Sequence, residues 1–112
     1  MTVTHIVLFQ FKKDATAEDV STISRLTLAL KNDCIHPKTN KPYIKSASGG
    51  TDNSPEGIQN GITHAFIMEF ETEADRDYYL FKDPAHDAFK KLAGRVLEKV
   101  QAVDFTDGVF KS

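Results

Sequence analysis

Three of the four histidines in this 112-residue chain stand where a fold could gather them. His5 and His64 hold like-phased positions in two short apolar segments, residues 3–11 and 63–71. His86 comes third after Asp83 in Asp83-Pro84-Ala85-His86, a spacing that puts it in the first turn of a helix. The positive end of the helix dipole disfavours imidazolium there, so His86 is expected to be neutral. A neutral, partly desolvated imidazole is what a general base requires. Its neighbours at helical spacing are Phe89, Lys90 and Ala93, which set it toward the core or at its edge. Tyr78 and Tyr79 precede it. A phenol beside an imidazole can donate a hydrogen bond to a carbonyl or enolate oxygen while the histidine moves the proton. Helical phase counted from Ala74 and Phe81 turns Tyr78 inward and leaves Tyr79 with Asp75 and Lys82.

A plainer reading exists for each residue. One histidine on an apolar face is commonly a core residue bonded to backbone, and paired tyrosines can be amphipathic packing. Three imidazoles directed at one interior are harder to explain that way, since each unpaired buried polar group costs about 1–3 kcal/mol. A three-histidine metal site is the sharper alternative, but the carboxylates that usually orient such ligands are not visible beside these positions. No metal and no cofactor are expected. Other chemistries lack their motifs: Gly49-Gly50 has neither the Lys-Ser/Thr nor the helix of a phosphate loop, and there is no Gly-x-Ser-x-Gly. Cys34 has no base nearby in sequence, and His36, before Pro37, is expected to be exposed.

The elements that must position these residues follow from periodicity. Residues 3–11 read as a strand with Val3, His5, Val7, Phe9 and Phe11 on one face and Thr4, Ile6, Leu8 and Gln10 on the other. Thr16-Ala17-Glu18-Asp19 has capping-box spacing for a helix to about Lys31, with Val20, Ile23, Leu26 and Leu30 along one stripe. Residues 32–63 are the least regular; 43–47 could be a short strand, and 49–57 read as a loop by their turn residues. A strand at 63–71 aligns His64, Phe66, Met68 and Phe70 on one face. Thr72 caps a short helix ending near Lys82. Asp83-Pro84 starts another that runs to about Lys99 with Phe89, Leu92 and Val96 inward, and a last strand spans about 102–109.

The order is β-α-β-β-α-β, the ferredoxin-like α+β arrangement of a four-stranded antiparallel sheet with its first and third strands side by side in the centre. Helices cover one face only. The other carries Ile6, Leu8, Ala65 and Ile67, an exposed apolar patch on a monomer. Pairing two sheets about a two-fold axis would bury it, so a homodimer through the sheet face is expected.

Composition limits the partners. A net charge of −2 from 14 basic and 16 acidic residues, with pI about 6.0, argues against a general nucleic-acid binder. The 40% hydrophobic content with eight Phe and three Tyr argues against disorder. The length suits one domain, 1–112. No apolar run nears the ~20 residues of a membrane span, the start has no signal-peptide pattern, and a single cysteine gives no sign of an oxidising compartment; a cytoplasmic protein without membrane association is expected.

Taken in order, His5-Ile6-Val7-Leu8-Phe9-Gln10-Phe11-Lys12, Thr63-His64-Ala65-Phe66 through Phe70-Glu71, Tyr79, and Asp83-Pro84-Ala85-His86-Asp87-Ala88-Phe89 resemble the stress-responsive dimeric α/β-barrel (Dabb) domain family. The segment from Lys41 to Gly57 looks most like its fungal members. The resemblance covers nearly the whole chain and implies a homodimer whose sheets form a shared barrel. Most members have no established activity. One plant member, olivetolic acid cyclase, closes a linear polyketide by aldol condensation with a Tyr and the His of a Pro-Ala-His motif. By position the resemblance assigns that histidine to His86, the pocket histidines to His5 and His64, and the tyrosine to Tyr79, against the helical phase. A pocket tyrosine of that enzyme's first helix has no counterpart, since this chain reads Arg25-Leu26-Thr27-Leu28.

The expectation is therefore a dimeric barrel with an apolar pocket for a hydrophobic, polyketide-like carbonyl compound. In it His86 serves as base, Tyr79 or Tyr78 steadies the enolate, and His5, His64, Val7, Phe9, Phe66, Met68 and Phe89 hold the substrate. The rival is a non-catalytic stress-response or ligand-binding oligomer, its pocket plugged by Phe66, Met68, Phe70 and Phe89 and its His86 hydrogen-bonded to backbone.

Overall fold

The computed structural model describes residues 1–111. Its elements are β1 (Val3–Phe11), α1 (Ala17–Asp33), β2 (Ile44–Thr51), β3 (His64–Phe70), α2 (Glu73–Phe81), α3 (Pro84–Gly94) and β4 (Leu97–Phe105). The sheet runs β2-β3-β1-β4 and every neighbouring pair is antiparallel. This is the ferredoxin-like α+β fold, with the second helical segment divided at Asp83-Pro84.

The caps form as their spacing demands. Thr16 Oγ1 accepts from Asp19 N at 3.0 Å and the Asp19 carboxylate accepts from Thr16 N at 3.0 Å, so two otherwise orphaned helix donors are satisfied. Thr72 Oγ1 caps α2 by accepting from Asp75 N at 3.1 Å. The buried Asp83 caps α3 through Ala85 N and His86 N, with proline in the first turn.

Four boundaries or facings differ from the sequence reading. β2 continues to Thr51 through Gly49 and Gly50. A Cβ on Gly49 would stand 2.3 Å from Phe66 Cδ1, so the glycine is there because the ring of β3 lies against it. α3 stops at Gly94, where Arg95 N bonds back to Leu92 O and Val96 N to Ala93 O in a tightened last turn. The final strand accordingly begins at Leu97 and ends at Phe105. Ala93 is buried and Leu92 faces outward, because the inward stripe of α3 is His86-Phe89-Ala93.

The inner face of the sheet packs under the helices in two clusters. One gathers Leu30, Cys34, Ile44, Met68, Phe70 and Tyr79; the other gathers Phe9, Ile23, Phe66 and Ala93. The outer face has no covering layer among the described residues, and Ile67, Val103 and Phe105 are about half exposed on it. No helix among the described residues is long and apolar enough to cross a membrane.

Candidate functional site

The strand register decides where a cavity can form. On the inner face of β1, His5, Val7 and Phe9 stand opposite Met68, Phe66 and His64 of β3, and opposite Asp104, Ala102 and Val100 of β4. Large side chains fill the β3 side, while the β4 side has only small ones. The space left over is a cavity of about 360 Å³ walled by β1, β4 and all three helices. That volume lies within the ~300–1,000 Å³ typical of small-molecule sites, at its lower end.

His5, Tyr79 and His86 are brought together on this cavity. The Tyr79 ring stacks on His86 with centroids 3.8 Å apart and meets His5 edge-on at 5.8 Å. His86 Nδ1 lies 2.7 Å from the Tyr79 carbonyl oxygen. A carbonyl can only accept, so Nδ1 carries the proton and Nε2 keeps its lone pair. Burial, aided by the Lys90 charge, lowers the His86 pKa below the ordinary histidine value. The ring is thus a neutral base. Burial likewise pushes the Tyr79 phenol far up, which keeps it protonated and a donor. Ser24 Oγ is the one fully enclosed side-chain polar atom without a partner among the described residues. Tyr79 Oη and His86 Nε2, which also lack protein partners there, are therefore not sealed off, and both side chains line the cavity.

His5 is fixed from behind. Its Nδ1 donates to Asp104 Oδ1 at 2.6 Å, and Asp104 Oδ2 accepts from Arg76 Nη1 at 2.9 Å. The β1–β4 register places Asp104 directly opposite His5, and α2 delivers Arg76. This pins the His5 tautomer in the manner of a carboxylate-oriented imidazole. Sequence reading missed both partners. Asp104 lay at an unremarkable position in the last strand, and only the strand pairing brings it across from His5.

Several expected lining residues lie elsewhere. His64 shares the inner face with His5 but sits opposite Phe9, four residues or roughly 13 Å along the strand. It is half-buried against Phe11 and bonds Thr63 Oγ1 at 2.8 Å. Three histidines therefore do not converge; two do. Phe66 and Met68 are core residues under the helices rather than cavity walls. Val7, Phe9 and Phe89 line the cavity. Tyr78 turns instead toward Tyr43 and the half-buried His36, 5.7 and 6.0 Å away by ring centroids. The helical phase misled because its marker Phe81 is 77% exposed. The inward stripe of α2 is Arg76-Tyr79-Leu80, and a charged residue on it disguised the true face. Tyr43 was not singled out either; its hydroxyl donates to Asp83, bracing the cap that sets the start of the His86 helix.

Residues 3–107 match the sequence profile of the Stress responsive A/B Barrel Domain, Dabb. No curated protein matches the chain. Among solved structures, a protein from Arabidopsis thaliana superposes with TM-score 0.78 at 29% identity, covering 98% of this chain and 99% of its own. The hydroxynitrile lyase of Passiflora edulis superposes with TM-score 0.82 at 25% identity, covering 98% and 97%. A dimeric ferredoxin-like protein of unknown function from Bacteroides fragilis shares the fold, with TM-score 0.64 at 24% identity over 93% and 94%.

Proposed function

The chain belongs to the stress-responsive A/B barrel domain family, and from that premise we propose that it is a cofactor-independent enzyme moving protons at a carbonyl compound, making or breaking a carbon–carbon bond. The observation that carries this reading is the pairing of a desolvated His86, its Nε2 free, with an unpartnered Tyr79 hydroxyl on one apolar cavity. In the forward sense, His86 Nε2 takes the proton α to a carbonyl and the developing enolate oxygen accepts a hydrogen bond from Tyr79. The carbanion carbon then bonds a second carbonyl carbon, and the imidazolium returns its proton to the new alkoxide. Run backward, the same atoms cleave a hydroxy compound: Nε2 takes the hydroxyl proton, the carbon–carbon bond breaks, and the leaving carbanion is protonated. Aldol-type cyclisation of a polyketide-like substrate is an instance of the first. Hydroxynitrile cleavage, the activity named for the Passiflora relative, is an instance of the second.

The small cavity volume favours a second reading, in which the protein binds a ligand without turning it over. Phe66, Met68 and Phe70 plug one half of the inner face as that reading expects, but the β4 half stays open. A homodimer through Ile6, Leu8, Ile67 and Val103 belongs to either reading, supported by the uncovered apolar sheet face and by dimeric relatives of the same fold.

Deuterium exchange at the α-carbon of an aryl ketone, followed by NMR, tests the chemistry without knowledge of the natural substrate. Wild type should catalyse exchange, and His86→Ala should lose about 10²-fold or more while still binding the ketone. A His86→Ala variant that binds and exchanges at the full rate would refute the assignment. Binding without exchange in wild type would establish the non-catalytic reading.

A further inference from the structure

His86 and Lys90 both line the cavity and are separated by one helical turn of α3, about 6 Å along the axis. Lys90 is the only formally charged residue of the lining; no aspartate or glutamate faces the space. Of the carboxylates behind the wall, Asp104 is already shared between His5 and Arg76, and Asp83 caps α3 and accepts from the Tyr43 hydroxyl. On α3 itself Asp87 pairs with Lys91 at 3.4 Å, and Lys90 makes no ion pair among the described residues. Its stem can extend along the apolar wall while the ammonium stays at the exposed rim.

An apolar cavity with two imidazoles and a phenol inside and one unpaired cation at its mouth is asymmetric in a way a ligand can read. We propose that Lys90 makes this mouth an anion-binding subsite, and that the ligand is an amphiphilic carboxylate with an apolar body seated in the cavity. Resting on the proton-transfer reading for this point alone, the reacting carbonyl then lies beside His86 and the carboxylate one helical turn away at the rim, a separation that a short chain of carbons spans. A cationic ligand is repelled. A neutral one gains nothing at the rim, since a solvated ammonium needs no partner. The same charge helps hold the His86 imidazole neutral, which supports its closeness to the cavity.

The test compares γ-benzoylbutyrate, an aryl ketone with its carboxylate three methylenes from the carbonyl, with the corresponding primary amide. Binding of each is measured calorimetrically to wild type, Lys90→Met and Lys90→Arg, at low and at roughly tenfold higher salt. Wild type should prefer the acid by roughly threefold to fivefold at low salt, as an exposed ion pair allows, and the preference should shrink as salt rises. Lys90→Met should bind acid and amide alike, with amide affinity unchanged, and Lys90→Arg should restore the preference. Equal binding of acid and amide by wild type, an undiminished preference in Lys90→Met, or no binding of either compound would overturn the proposal. Turnover is not read, so a protein that shows the Lys90-dependent preference yet catalyses no exchange sinks the catalytic reading alone.

Discussion

Replacing Asp104 should separate the two tasks of the Arg76–Asp104–His5 chain. In Asp104→Ala, Arg76 retains Asp77 at 2.8 Å and Glu73 at 3.9 Å and is partly solvated, so its loss is small. His5 fares worse. At 5% exposure its Nδ1–H loses its only partner, and an unpaired buried donor costs about 1–3 kcal/mol. The sum is about 2–3 kcal/mol, which for a chain of this size lowers Tm by roughly 8–12 °C. Asp104→Asn keeps an oxygen that can accept from His5 and forfeits only the charge, so about 1 kcal/mol is expected. Urea titration gives the stabilities, and long-range proton–nitrogen NMR gives the His5 tautomer. Wild type should show Nδ1–H, and the alanine variant should lose that preference. An Asp104→Ala protein within about 0.5 kcal/mol of wild type, or a wild-type His5 protonated only at Nε2, would refute the account of how His5 is held.

Stability should fall on mild acidification. Burial lowers the folded-state pKa of both His86 and His64 below the unfolded value near 6.5, so under acid the unfolded chain binds protons first. The stability present above about pH 6.5 is therefore lost as pH drops toward the folded values, and His86→Gln should flatten that slope in urea titrations; an unchanged slope would count against a buried neutral His86. Gly49→Ala should cost about 1–3 kcal/mol by chemical denaturation, because the new Cβ meets Phe66 Cδ1 at 2.3 Å and the Ala65 carbonyl oxygen at 2.7 Å. Ile67→Lys with Val103→Lys should leave the monomer folded by circular dichroism yet shift sedimentation from dimer to monomer, since both side chains stand on the uncovered sheet face; a dimer that survives would place the interface elsewhere.

What could be read in advance was whatever a single segment declares about itself. The Thr16 and Thr72 caps, the Asp83-Pro84 start of α3 and the alternation of β1 and β3 are local patterns, and each formed within a residue or two of its expected place. His86 was legible for that reason, since the cap fixes its turn; its neutral state comes from burial, with the Asp83 carboxylate pulling the other way. The misplacements arose where one residue's conformation is set by another far away in sequence. Gly49 and Gly50 read as loop until β3 pairs with them, Gly49 opposite Phe66 and Gly50 opposite Ala65. Tyr79 read as outward because the phase was counted from Ala74 and Phe81, both exposed in the fold, and because Asp75 and Lys82 share its phase; the charge of Arg76 on its true stripe is accommodated by Asp104, from another strand. Asp104 itself has no local mark.

The same reasoning explains why His5 and His64, alike in sequence, differ in the fold. Both lie on the inner face, and each faces a neighbour across the sheet. His5 is opposite Asp104, a carboxylate one strand over that orients the ring toward open space. His64 is at the far end, opposite Phe9, with Phe11 over it and only the adjacent Thr63 hydroxyl to bond. What separates a site residue from a packing residue is therefore the strand that pairs on its other side. β3 presents Phe66 and Met68 and closes the interior, whereas β4 presents Ala102 and leaves it open. The cavity is a consequence of that one difference in side-chain volume across β1. It puts His86, Tyr79 and His5 on the open half, and it makes β4, not the residues of β3 that sequence reading favoured, the strand that shapes what the protein can bind.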